Sequence, residues 1–395
     1  MGDLCYFENG DRGKNYPGRK ATTETGIPFI NAGHLDCGDI DWEEMDFIPD
    51  AHFRKLNSGK IQRGDILYCL RGSLGKFGIV DREIEGAIAS SLIIVRPGPK
   101  VELNFLRYYF QSDISRGMIE ALAGGAAQPN LSAKSLKAFE VPLPPVRDQK
   151  RIVAVLDQAF AALDRARADA AANRADARLL FESTVDGLIC RNRHDWEEGT
   201  FEQLVGDVFT GPFGSLLHKS DYIEGGTPIV NPSNILDGRI EPDWTKTISN
   251  EAVARLTSYK LRVGDLVVGR RGEMGRCAPV LEHMEGWLCG TGSFVIRPKP
   301  GVSSEFVACV VRTPTMVEKL TSISTGATMP NLSNRTLAQM PFALPSHEEQ
   351  LDMLEAINRL EVRSKALHSG FDLKVNELTN LRQSLLQKAF FGQLT

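Results

Sequence analysis

The hexapeptide Gly26-Ile27-Pro28-Phe29-Ile30-Asn31 returns as Gly226-Thr227-Pro228-Ile229-Val230-Asn231, 200 residues further along the chain. Outward from it, Gly64-Asp65-Ile66-Leu67 returns as Gly264-Asp265-Leu266-Val267, and Arg71-Gly72-Ser73-Leu74-Gly75-Lys76 as Arg271-Gly272-Glu273-Met274-Gly275-Arg276, both at the same offset. Val95-Arg96-Pro97 then matches Ile296-Arg297-Pro298, and Pro129-Asn130-Leu131-Ser132 matches Pro330-Asn331-Leu332-Ser333, now at 201, so one inserted residue accounts for the drift. Any one match is a coincidence of common residues; five in order at nearly one offset are not. Solenoid units run roughly 20–50 residues, far below this period. The 395 residues are therefore a tandem duplication of a whole module, in a chain long enough for two sizeable cores.

Each module has two parts. The first is globular, residues 1–145 and 195–345. Short β-branched runs such as Ser91 to Val95 and Ser293 to Ile296 are punctuated by Gly, Pro and Asn, and helical patches such as Phe105 to Gln111 lie between them. This pattern predicts an α/β or α+β domain. The second part, 146–194 and 346–395, is helical. Ser346 stands as N-cap with Glu349 three positions on, a capping box. Leu354, Ile357, Leu360, Leu378, Leu381 and Leu385 recur at helical spacing, as do Ile152, Val155, Leu156, Phe160 and Leu163 in the first copy. Helices of some 40 residues, about 60 Å long at 1.5 Å per residue, need to bury their apolar seams. The economical partner for each is the other copy's helix. That pairing predicts an antiparallel coiled coil of pseudo-two-fold symmetry with a globular domain at each end; an ordinary helical bundle is the alternative.

Composition excludes several classes. With 42% hydrophobic and 24% charged residues the chain is neither disordered nor collagenous, and no apolar run approaches the roughly 18–20 residues of a membrane span. The opening residues have no basic segment followed by an apolar one, so a soluble, cytoplasmic protein is expected. Seven cysteines are scattered singly without His at ligand spacing, which predicts buried thiols in a reducing compartment and no metal site. A net charge of -4 means that binding to nucleic acid requires a local basic surface.

Catalytic constellations are missing as well. There is no phosphate-binding G-x-x-x-x-G-K-[ST] loop, no E-x-K, no H-E-x-x-H, and the lone Pro144-Pro145 is followed by Val146 rather than an aromatic residue. Gly290-Thr291-Gly292 is an isolated G-x-G, a weak signal for a nucleotide or methyl donor. Recognition is favoured over catalysis, and no catalytic residue is assigned.

Two copies of one domain suit a target with two parts, such as DNA half-sites separated by turns of the helix. Base edges favour Arg, Lys, Asn and Gln, and phosphates favour cations beside glycine amides. The candidate DNA-binding residues are Arg12, Lys14, Asn15 and Lys20 in a loop of the first copy, and Ser215 and Lys219 in the divergent loop at the same place in the second. The matched glycine loops add Arg71, Lys76, Arg270, Arg271 and Arg276; the matched Pro-Asn turns add Gln128, Asn130 and Asn331. Each has a plainer alternative: a tight turn with solvated charges, surface drift, or an asparagine that only shapes its turn. Ile152, Val155, Leu163, Leu354, Ile357, Leu378 and Leu381 are the candidate contacts of the helical regions with partners.

Taken together, the duplicated domains, the exits Val141-Pro142-Leu143-Pro144-Pro145 with Gln149 and Ala343-Leu344-Pro345 with Glu349-Gln350, and the terminal stretch Leu381 to Leu394 resemble the specificity subunit of type I restriction-modification systems. The resemblance runs end to end. It implies a target-recognition domain for each half of a gapped, asymmetric DNA sequence, spaced by the helices, which also dock two DNA adenine methyltransferase subunits. S-adenosylmethionine would reside in those partners, and ATP with magnesium in a restriction-translocase subunit, with no cofactor in this chain. A non-catalytic assembly scaffold with two similar binding domains is the alternative. One departure stands out: the first copy lacks a counterpart to Asp195-Trp196-Glu197-Glu198-Gly199, so its N-terminal edge is expected to be shortened or differently closed.

Overall fold

The computed structural model describes residues 1–13, 15–18, 21–124, 129–191, 195–212, 216–326 and 330–394. The chain divides into two compact units, residues 1–170 with 373–395, and residues 171–372. Each unit holds one globular copy together with part of both long helices, Val146–Arg191 and His347–Phe390.

In the first unit an antiparallel sheet runs in the order Cys5–Asn9, Leu92–Pro97, Ile66–Cys69, Phe77–Ile79. The second unit repeats it with Gly206–Thr210, Ser293–Pro298, Leu266–Gly269 and Cys277–Pro279. Beside each lies a smaller layer with one parallel pairing, Phe29 to Ala87 in the first copy and Ile229 to Leu288 in the second. The sheets are thus largely antiparallel, the α+β form of the expected class. Two-residue hairpins close at Cys37-Gly38 and Asp237-Gly238, with φ of 45° and 112°, then 46° and 77°. Positive φ at both positions is what a hairpin turn matching the strand twist requires.

The repeated motifs turn out to be each other's partners. Asp65 follows its glycine into the central strand and accepts from both Arg96 Nε and a terminal nitrogen at 2.7 and 2.8 Å; Asp265 holds Arg297 in the same fork at 2.9 and 2.8 Å. The Gly-Asp and Arg-Pro matches therefore mark one structural clamp in each copy. A second matched clamp fixes the helices to the domains. Buried Gln149 accepts from the Glu102 amide and donates to the Lys100 and Pro144 carbonyls, and Gln350 does the same with Ser303, Gly301 and Pro345. The capping box at Ser346 is formed, the Glu349 amide donating to Ser346 Oγ at 3.3 Å and the Ser346 amide to the Glu349 carboxylate at 3.0 Å.

Within each unit the two helices run antiparallel. In the first, Arg382 pairs with Asp164 at 2.9 Å and covers the Phe160 ring at 4.1 Å, while later residues Leu386, Ala389 and Phe390 share a core with earlier ones, Ile152 and Leu156. In the second, Arg174 pairs with Asp372 at 3.3 Å, and Val185 and Ile189 join Met353 and Ile357. Burial on the helices is heaviest where they meet the globular copies, because Ala, Arg and Asp dominate residues 166–177. Of the seven apolar positions singled out, Ile152 and Ile357 are buried, Leu163 and Leu354 pack partly against their cores, and Leu378 is half-buried. Val155 and Leu381 face solvent at 40% and 47% exposure, off the packed stripe.

The contacts at this edge differ between the copies. The Met1 ammonium donates to the Phe139 carbonyl at 2.7 Å, where the second copy sets the Phe201 amide on the Met340 carbonyl at 2.9 Å. The second copy adds strand Glu197–Thr200, paired with Pro341–Leu344.

Candidate nucleic-acid interface

In both copies the central strand ends in a glycine turn that is zipped to the Pro-Asn turn. The Leu131 amide donates to the Leu70 carbonyl and the Leu332 amide to the Arg270 carbonyl, both at 2.9 Å. Arg71 bridges Asn130, and Arg271 bridges Asn331, through backbone. Gly72 and Gly75, like Gly272 and Gly275, hold φ near +80°, a conformation open to glycine and costly for other residues. The asparagine backbones thus join the two segments in both copies, and the glycines shape the turns that carry the cations beside them.

The divergent loop of the first copy reaches the same end of the sheet. Arg12 donates to the Ser90 carbonyl at 3.3 Å, next to Ser91, whose carbonyl accepts from Leu70. Asn15 donates to the Lys55 carbonyl at 3.0 Å. Asp11, which sequence reasoning passed over, anchors this loop: its carboxylate accepts from the Asn57 and Gly13 amides at 3.0 and 2.8 Å. Those amide bonds, Asn57 first, hold its carboxyl below the usual carboxylate range. Lys219 lies exposed in the one-turn helix Lys219–Asp221, beside the Asp221–Arg255 pair at 2.8 Å. Lys14, Lys20, Gln128 and Ser215 lie outside the described residues.

The copies differ in how free their cations are. Arg71, Lys76 and Arg271 are exposed, and among the described residues none of them has a carboxylate partner. Arg276 is held by Glu273 at 2.5 and 2.8 Å. Arg270 stands where the first copy has buried Leu70; it is half-buried, lies 5.5 Å over the Phe294 ring, and its Nε has no hydrogen-bond partner among the described residues. Burial first, and then the neighbouring Arg271, push its pKa down, the position of a cation lacking an anion.

Gly290 and Gly292 have a packing explanation. A Cβ on Gly290 would sit 2.1 Å from Asn231 Oδ1, and one on Gly292 3.0 Å from Pro232. Among the described residues no group of three or more His, Cys, Asp or Glu is placed to hold a metal, and no helix is long and apolar enough to cross a membrane. All seven cysteines are unpaired thiols, four of them buried, and burial pushes Cys277 up to about 12.

A family model described as the type I restriction modification DNA specificity domain matches residues 1–170 and 195–374. The EcoKI specificity subunit of Escherichia coli strain K12 is 22% identical over 387 residues, covering 93% of this chain and 82% of that protein. The StySPI specificity subunit of Salmonella potsdam is 23% identical over 394 residues with the same coverage. Among solved structures, a chain from work on the complex assembly and conformational transition of the type I restriction-modification system matches with a TM-score of 0.71 at 18% identity, covering 99% of this chain and 96% of that one. The HsdS subunit from Thermoanaerobacter tengcongensis matches at 0.55, with 18% identity and coverage of 99% and 95%. At these identities the likeness to solved structures establishes the fold.

Proposed function

The chain belongs to the type I restriction-modification DNA specificity family, and on that premise we propose that it reads a gapped, two-part DNA sequence, one half with each globular copy, and directs methyltransferase and restriction subunits to it. One observation carries the reading: a matched frame of glycine turn and Pro-Asn turn bears Leu70 in the first copy, with the Arg12 loop reaching its side, and Arg270 in the second. A frame held constant while its loops differ is what two unlike half-sites call for.

The proposed DNA contacts are the fourteen residues named above; of those described, Arg12, Arg71, Lys76, Lys219 and Arg271 are exposed and Arg270 is half-buried. The long helices set the separation of the half-sites and dock two adenine methyltransferase subunits, through solvent-facing positions such as Val155 and Leu381. S-adenosylmethionine, ATP and magnesium belong to the partner subunits, and the complex works in the cytoplasm. Footprinting of the chain with its methyltransferase partner on target DNA tests this. The expected result is two short protected blocks separated by unprotected bases; one continuous block, or none, refutes it.

A further inference from the structure

Duplication supplies an internal comparison. A cation kept at the same place in both copies cannot distinguish two different half-sites, but it can grip what every sequence shares, the phosphates. Most matched cations are otherwise engaged. Arg96 and Arg297 clamp buried aspartates. Arg276 is held by Glu273, and Arg255, the counterpart of Lys55, by Asp221. Lys60, the counterpart of Lys260, lies 4.9 Å over the Phe53 ring.

Among the described residues, two matched pairs are exposed and without a carboxylate partner in both copies: Arg71 with Arg271, and Lys134 with Arg335. They stand on the two segments that the Leu131 and Leu332 amides zip together. The turn leading to Lys134 is fixed by Ser132, whose hydroxyl accepts from the Ser135 amide at 2.9 Å; Ser333 and Thr336 repeat this before Arg335 at 3.1 Å. The Arg335 side of the second copy is thus presented by the same backbone as Lys134 in the first.

We infer that Lys134 and Arg335, together with Arg71 and Arg271, form a duplicated phosphate anchor that docks each copy on DNA without regard to sequence. The inference rests on the DNA-reading role proposed above and divides its labour: the zipped turns grip the backbone, and the divergent loops read bases. Lys134 and Arg335 thus supply affinity that does not depend on sequence.

The test is binding of the full-length chain to a pool of mixed-sequence duplexes across a salt series, for wild type, Lys134→Gln/Arg335→Gln and Lys134→Arg/Arg335→Lys. Each lost phosphate contact removes about 0.9 from the slope of log affinity against log salt. The glutamine double variant is expected to flatten that slope by about 2, to weaken all duplexes by the same factor, and to enrich the same motif as wild type. The charge-conserving variant keeps the wild-type slope. A glutamine variant with wild-type slope, or an altered motif, overturns the anchor while leaving DNA reading intact. Wild-type protein with no salt-dependent binding overturns DNA reading itself, and the anchor with it.

Discussion

Asp65, with no exposed surface, places both carboxylate oxygens on Arg96 and also accepts from the Gln62 amide at 2.8 Å. Removing one partner of a fully buried pair costs roughly 3–5 kcal/mol. Because Arg96 keeps 32% of its side chain in water, Asp65→Ala is expected to cost less, about 2 kcal/mol. Hydrogen exchange then speeds up over residues 62–97 and leaves the matching strands of the other unit protected; a uniform response in both units contradicts this. Asp11 gives a pH prediction. Its pKa is lowered by folding, so the stability it lends the loop is present above the ordinary carboxylate value of about 3.9 and is lost as pH falls through its own. Carbon-detected titration should find Asp11 still ionised where exposed aspartates are half-protonated. Neither role was legible beforehand. The repeat made Gly64-Asp65 and Arg96-Pro97 conspicuous, yet the bond joining them spans 31 positions, and no local pattern reports such a partner.

The long helices were legible because a helix start is written locally: Ser346, Glu349 and the prolines before them act within one turn. What anchors the helices was less so. Gln149 and Gln350 stood out as letters near the proline exits, and only the fold shows them buried and bonded to three backbone groups each. Gln149→Leu strands those groups and is expected to cost about 1–3 kcal/mol, read as a lower melting temperature that Gln149→Glu does not fully restore. Spacing also overstated the seam. Val155 and Leu381 fit a helical stripe, but a stripe wider than its partner surface leaves its margins in water. The packed end is instead anchored by Phe390, whose ring meets Phe105 and Tyr109 at centroid distances of 5.0 and 5.8 Å. Phe390→Ala is expected to destabilise the first unit by about 3–5 kcal/mol, seen as early unfolding of that unit in a urea titration, whereas Leu381→Ala changes little.

At the scale of the molecule, duplication was the strongest signal in the sequence, since a fixed offset survives even where side chains drift. The interface was only half legible. Matched turns could be found by their letters, whereas the contrast between Leu70, buried in the first copy, and Arg270, half-buried over the Phe294 ring, needed the fold. That contrast allows the two copies to be addressed separately. The decisive measurement is methylome sequencing of cells carrying the chain and its methyltransferase partner, comparing wild type with Lys219→Gln/Arg270→Leu. Two independent readers predict a gapped methylation motif in which one half relaxes or changes while the other half and the gap length stay as they were. Loss of definition in both halves together, or a motif without a gap, contradicts the account.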